Sequence, residues 1–229
     1  MTFFYILMII ISLILAAVFT FRRSQRKDAM SLLLKTAASA AFIMLGFVSF
    51  RGSQGVVSIA ILPGLVMGLI GDMYLDMKYV FPKYDTMFTF TGFGAFILGH
   101  ICYLIFLFSQ YPVTKAGLII ALIIGIAAGI GIYLTPEMMK VDYGRFRVIS
   151  AAYAALLIFV TIYSLCLCFA GFTGAKIVFF LGILLFLFSD LVLSQIYFGQ
   201  DQDTPKNSMI NHAAYYLGQI LIAASIIMI

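Results

Sequence analysis

At 229 residues, 64% hydrophobic and only 10% charged, the chain has too few polar side chains to cover a soluble domain, and its apolar residues come in repeated runs of about twenty. The composition tells against a soluble fold, and the net charge of +5 reads as membrane topology rather than affinity for nucleic acid. Three cysteines, Cys102, Cys166 and Cys168, sit inside apolar runs and form no ligand framework with the two histidines, so neither a metal nor a cofactor is expected.

Hydropathy and its charged or turn-forming breaks predict an all-α protein, a polytopic bundle of eight transmembrane helices forming one integral membrane domain over residues 1–229. The spans fall at 2–21, 30–50, 56–77, 88–108, 116–134, 147–170, 174–195 and 208–229. The first, MTFFYILMIIISLILAAVFTF, lacks a basic leader and is followed by Arg22, Arg23, Arg26 and Lys27, so it reads as a retained span rather than a signal peptide. Span 2 carries Lys35 about a turn and a half inside its basic end, where so long a side chain is also able to snorkel to the interface. Span 3 ends in GDMYLD. Its Asp72 lies inside the membrane, whereas Asp76 falls nearer the headgroups and reads as a solvated helix end, with a possible role as an additional acid. Gly64, Gly68 and Gly71 ahead of it suit close helix packing or the wall of a pocket.

Span 4 places His100 of LGHICY near its middle, with Tyr103 three residues on; the histidine suits either a substrate contact or an interhelical hydrogen bond. Span 7 contains Ser189 and Asp190 in FLFSDLVLSQ, just over a turn from its end. On span 8, Asn211, Tyr215 and Gln219 recur every four residues and share one face. There is also a faint internal echo: G-D-M-Y-L of span 3 against S-D-L-V-L of span 7, and H-I-C-Y of span 4 against H-A-A-Y of span 8, as in a parallel repeat.

Alternate loops differ sharply in Lys and Arg. One set holds Arg22, Arg23, Arg26, Lys27, Lys78, Lys83, Lys140, Arg145, Arg147 and Lys206; the other holds Arg51, Lys115 and Lys176. Ten against three puts the first set in the cytoplasm and both termini on the non-cytoplasmic side. Most intramembrane polar residues then fall in the cytoplasmic half, a one-sidedness that disfavours a through-pore. No nucleophile elbow, P-loop, dinucleotide fingerprint or H-E-x-x-H motif occurs, so any chemistry rests on carboxylates. Two desolvated carboxyls repel, so that one holds a proton while an ammonium such as Lys35 keeps the other ionised, the arrangement general acid and base catalysis needs. The expected partner of Asp72 is Asp190 rather than Asp76.

GLIGDMYL, FTFTGFGAFILGHICYLIFLF, FFLGILLFLFSDLVLSQIYF and AAYYLGQILIAASI, in this order and with Lys35 ahead of them, make the chain resemble the YhhN-like lysoplasmalogenase family of eight-span membrane proteins. The resemblance implies hydrolysis of the 1-alkenyl (vinyl) ether bond of lysoplasmalogens to a fatty aldehyde and glycerophospho-ethanolamine or -choline. It implies Asp72 and Asp190 as the catalytic pair, and Lys35, His100, Tyr103, Ser189, Asn211, Tyr215 and Gln219 fall where substrate would bind. A lysophospholipid substrate and membrane lipids are then the partners, in the plasma (inner) membrane of a bacterium, with the site toward the cytoplasmic leaflet. The sequence departs from the family's pattern in Asp76, where an apolar residue is expected. A small-solute or proton-coupled transporter, and a lysolipid-binding scaffold, are the competing readings.

Overall fold

The structure, a computed structural model, describes residues 2–229, and all its long elements are helices: α1 (Thr2–Gln25), α2 (Ala29–Gly52), α3 (Ile61–Val80), α4 (Asp85–Gln110), α5 (Lys115–Leu134), α6 (Arg147–Phe169), α7 (Gly174–Phe198) and α8 (Pro205–Ser225). Their ends follow from local chemistry. The Asp28 carboxylate accepts the Ser31 N–H at 2.9 Å to start α2, Thr204 caps α8 through the Asn207 N–H with Pro205 at the first helical position, and Thr173 caps α7 through the Lys176 N–H. Span 3 starts later than its apolar run. Residues 56–60 stay outside the helix, where Gln110 at the end of α4 accepts the Ser58 N–H and donates to the Val56 carbonyl, and Pro63 sits in the first turn, where its missing N–H costs nothing.

Among the described residues, seven of the eight helices are long and apolar enough to cross a membrane. The exception is α3, and its shortfall is charge rather than length: every 18-residue stretch of its 20 residues contains Asp72, Asp76 and Lys78. Those charges are matched from neighbouring helices, as described below.

The connections α1–α2, α3–α4, α5–α6 and α7–α8 gather at one end of the bundle. Lys27 pairs with Asp203, Val141 forms a β-bridge to Gly199, and Arg145 donates to Thr86 at 3.1 Å. At the opposite end the Gly55 loop lies against Ile229, and Lys176 sits over the Tyr111 ring. The basic residues therefore collect at the end that the alternation of loops assigns to them. Helices pair as successive hairpins, with α8 enclosed by α1, α2 and α7 and α5 at the periphery against α6. α8 is the most interior element: 72% of its apolar stretch is buried, against 17% for α1. Its close fit to α7 rests on Gly182 and Gly218, since a Cβ on either would approach the other's carbonyl oxygen to 2.8 or 2.7 Å.

Candidate active site

Three helices converge on the first acid. On α2, Lys35 and Ser39 are four residues apart; on α3, so are Asp72 and Asp76; on α8, so are Tyr215 and Gln219, and each pair shares a helix face. Packing brings these faces together. Asp72 is 2% exposed, and its Oδ2 accepts from Ser39 Oγ at 2.6 Å and Tyr215 Oη at 2.8 Å, while Lys35 Nζ lies 3.4 Å from Oδ1. The same ammonium stands 3.3 Å from Asp76 Oδ1, and Arg23 of α1 donates through Nη2 to that oxygen at 3.4 Å. Asp76 is thus no solvated helix end. It is 3% exposed and paired with two cations, because α2 packs against α3 and Arg23 reaches across from α1. Lys35 does not snorkel either, being pinned at 4% exposure between two carboxylates. A desolvated carboxylate is tolerated at this depth only with such partners.

Hydrogen bonds extend this centre inward. Gln219 Nε2 donates to Tyr215 Oη at 3.2 Å, and Tyr103 Oη donates to Gln219 Oε1 at 3.1 Å. Tyr216 donates to the Lys35 carbonyl at 3.2 Å and shares a 3.1 Å contact with Ser39. Gly68 leaves room for this chain, since a Cβ there would come within 2.7 Å of Gln219 Nε2.

Asp190 occupies a second setting, behind a layer of rings. Phe96, Phe186 and Tyr215 pack edge to face, with centroids 5.2 to 6.2 Å apart, between the Asp72 centre and the Asp190 side. Asp190 is half-buried and lines a narrow cavity between α4, α6 and α7. Its walls are mostly apolar, among them Phe93, Phe96, Leu157, Leu187 and Leu191. Tyr153 of α6 donates a hydrogen bond to Asp190 Oδ2, and Ser189 Oγ approaches Oδ1 at 3.4 Å. Asn211 secures this turn by donating to the Ser189 carbonyl at 2.7 Å. The α5–α6 connection borders the cavity: Tyr143 bonds Ser194 at 2.8 Å, and the Asp142 N–H donates to the Phe198 carbonyl. His100 sits within a cage of Tyr103, Tyr153 and Phe186 rings, Nδ1 on the Phe96 carbonyl at 2.8 Å.

A family model for the YhhN family matches residues 30–226, most of the chain. The chain belongs to the YhhN family. No curated protein and no solved structure matches it. The matched region of this YhhN protein contains all the polar residues singled out from the sequence, from Lys35 to Gln219.

The structure divides those residues into two groups. Lys35, Asp72, Asp76, Tyr103, Tyr215 and Gln219 form one connected network. Asp190, Ser189 and Asn211 form the other, and His100 stands among the rings beside it. The internal echo does not extend to the acids' partners: Asp72 takes a tyrosine from α8, whereas Asp190 takes Tyr153 from α6 rather than Tyr103 from α4. Four members escaped the sequence reading: Arg23, Ser39, Tyr153 and Tyr216. Ser39, four residues after Lys35 on the same helical face, carried a usable signal; Tyr153 in AAYAALL did not.

Proposed function

We propose that this YhhN protein hydrolyses the 1-alkenyl ether bond of lysoplasmalogens, with Asp190 as the proton donor and Asp72 as a fixed negative charge behind the ring layer. The observation that carries the reading is the placement of Asp190 and its Tyr153 partner on the wall of an apolar cavity, in a bundle whose other two buried acids are tied up in ion pairs. An alkenyl chain lies along the Phe and Leu walls with its vinyl ether beside Asp190. In its protonated form Asp190 delivers the proton to the β-carbon of the enol ether, and the adjacent carbon becomes an oxocarbenium ion. Water adds to that carbon and loses its proton to the Asp190 carboxylate. The hemiacetal then breaks its bond to the glycerol oxygen, which receives a proton as the aldehyde carbonyl forms. The cationic transition state has the character met in glycoside hydrolysis, where a carboxyl pair serves the same ends. Here the Asp72 charge, held by Lys35, Ser39 and Tyr215, stabilises the cation through space.

In this reading α3 is an eighth span whose charges are neutralised inside the bundle. The basic end then faces the cytoplasm, with both termini outside and the site toward the inner leaflet of a bacterial plasma membrane. The test is aldehyde release from a lysoplasmalogen by purified protein, followed by mass spectrometry. Asp190→Asn should lose at least about 100-fold in rate, the usual worth of a general acid. Full release by correctly folded Asp190→Asn and Asp72→Asn proteins would sink the mechanism, and solute flux in proteoliposomes without any product would point to a transporter.

A further inference from the structure

The basic end of α1 and α3 contains a group that the ion-pair network leaves incomplete. Arg23 is 4% exposed, yet its Nη1 has no hydrogen-bond partner, and its Nε, 3.4 Å from Asp76 Oδ2, is not aligned to donate. Buried guanidinium N–H groups without acceptors are costly, so the position calls for an additional anionic or polar oxygen. Around it the cations converge on one ring. The Arg23 guanidinium lies 4.1 Å from the Tyr79 centroid, Lys27 Nζ 4.9 Å and Lys78 Nζ 5.2 Å. Two of these cations form their ion pairs with rim acids. Lys27 pairs with Asp203 and Lys78 lies 3.8 Å from Asp85, carboxylates whose side chains are 43% and 54% exposed and are readily exchanged for another anion. Arginine with lysine on aromatic platforms is the donor set that suits a phosphate, the guanidinium offering two parallel N–H bonds.

Tyr197 joins this cluster to the cavity. Lys78 Nζ sits 3.4 Å over its ring, and the same tyrosine lines the cavity that holds Asp190. One tyrosine therefore separates the cationic cluster from an apolar cavity with an acid in its wall. We propose that Arg23, Lys78 and Lys27 form a subsite for the phosphodiester of a lysolipid whose hydrocarbon chain occupies the Asp190 cavity. The proposal rests on the lysolipid reading given above and adds the residues that hold the headgroup. Lys35, held between Asp72 and Asp76, is not among them.

The test uses binding rather than turnover. A 1-alkyl lysophospholipid, a saturated ether with no vinyl bond to protonate, is compared with the 1-alkylglycerol of equal chain length and with inorganic phosphate, by calorimetry on detergent-solubilised protein. The expected result is at least a ten-fold preference for the phospholipid over the alkylglycerol. Arg23→Gln and Lys78→Gln should each shrink that preference several-fold, with alkylglycerol affinity unchanged. Because Arg23 also pairs with Asp76 and its variant risks misfolding, Lys78→Gln serves as the independent arm. A preference that survives in Lys78→Gln and in folded Arg23→Gln overturns the subsite, whatever the aldehyde assay shows. Inorganic phosphate bound as tightly as the lipid would assign the cluster to free phosphate and overturn the headgroup assignment. A variant-sensitive preference in a protein that releases no aldehyde would retain the subsite and remove the hydrolase reading.

Discussion

Lys35→Met is the most informative single change, because one ammonium serves two buried carboxylates. At 3.4 Å from Asp72 and 3.3 Å from Asp76, each attraction is about 5 kcal/mol at an effective dielectric of 20. Taking each ion out of water costs several kcal/mol, which cancels much of that gain. Deleting the cation leaves both carboxylates buried, with only Arg23 to serve Asp76, and breaking a buried pair in this way costs about 3–5 kcal/mol. For a chain of this size that is a fall of about 6 to 20 °C in apparent melting temperature, read by fluorescence or light scattering in detergent. The paired variant Lys35→Met/Asp72→Asn removes one charge of each sign and leaves Asp76 on Arg23, so it should recover at least half of the loss, as a double-mutant cycle will show. A snorkelling lysine would be worth under about 1 kcal/mol. A Lys35→Met protein that melts within about 2 °C of the parent, equivalent to roughly 1 kcal/mol, would refute the shared-cation reasoning.

Other changes probe other parts of the molecule. Tyr153→Phe removes the hydroxyl on Asp190 and should slow aldehyde release by about 10- to 100-fold, the worth of a hydrogen bond to a charged group, with little change in melting. Gly218→Ala forces a methyl to within 2.7 Å of the Gly182 carbonyl and should destabilise by about 1–3 kcal/mol, whereas Gly131→Ala meets nothing within 4 Å and should be neutral or slightly stabilising; thermal melts of the two variants decide this. Asp28, in the α1–α2 connection, has its acidity strengthened by the Ser31 backbone N–H it accepts, so its carboxyl titrates below the usual range. A group whose folded value is depressed stabilises above its unfolded value and loses that contribution as pH falls through the folded one. Asp28→Ala should therefore melt lower than the parent at neutral pH, and the gap should close as the carboxylate is protonated.

The helices were legible because repeated runs of about twenty apolar residues admit no other structure in a membrane. The side-chain partners were not legible to the same degree. Depth along a helix was readable, and it placed Asp72, Asp190 and the α8 stripe of Asn211, Tyr215 and Gln219 as polar groups with work to do. Whether α2 or another helix covers the end of α3 is a packing fact, and it decides that Asp76 is buried and that Lys35 turns inward. Tyr153 and Ser39 were missed for a related reason: a hydroxyl in an apolar helix satisfies itself on a carbonyl as readily as it serves a neighbour, and only the assembled bundle distinguishes the two.

The ring layer between the two acids has an electrical meaning. The rings of Phe96, Phe186 and Tyr215 put low-dielectric matter beside the two carboxyls, and charge is screened less across such matter than across water. The described side-chain hydrogen bonds give protons no such passage. The hydrogen-bonded chain from Asp72 runs through Tyr215 and Gln219 to Tyr103 and ends there on α4, without touching Asp190. The layer acts like the dielectric of a capacitor, transmitting potential and blocking current, so in the proposed reaction Asp190 takes its protons from whatever enters its own cavity.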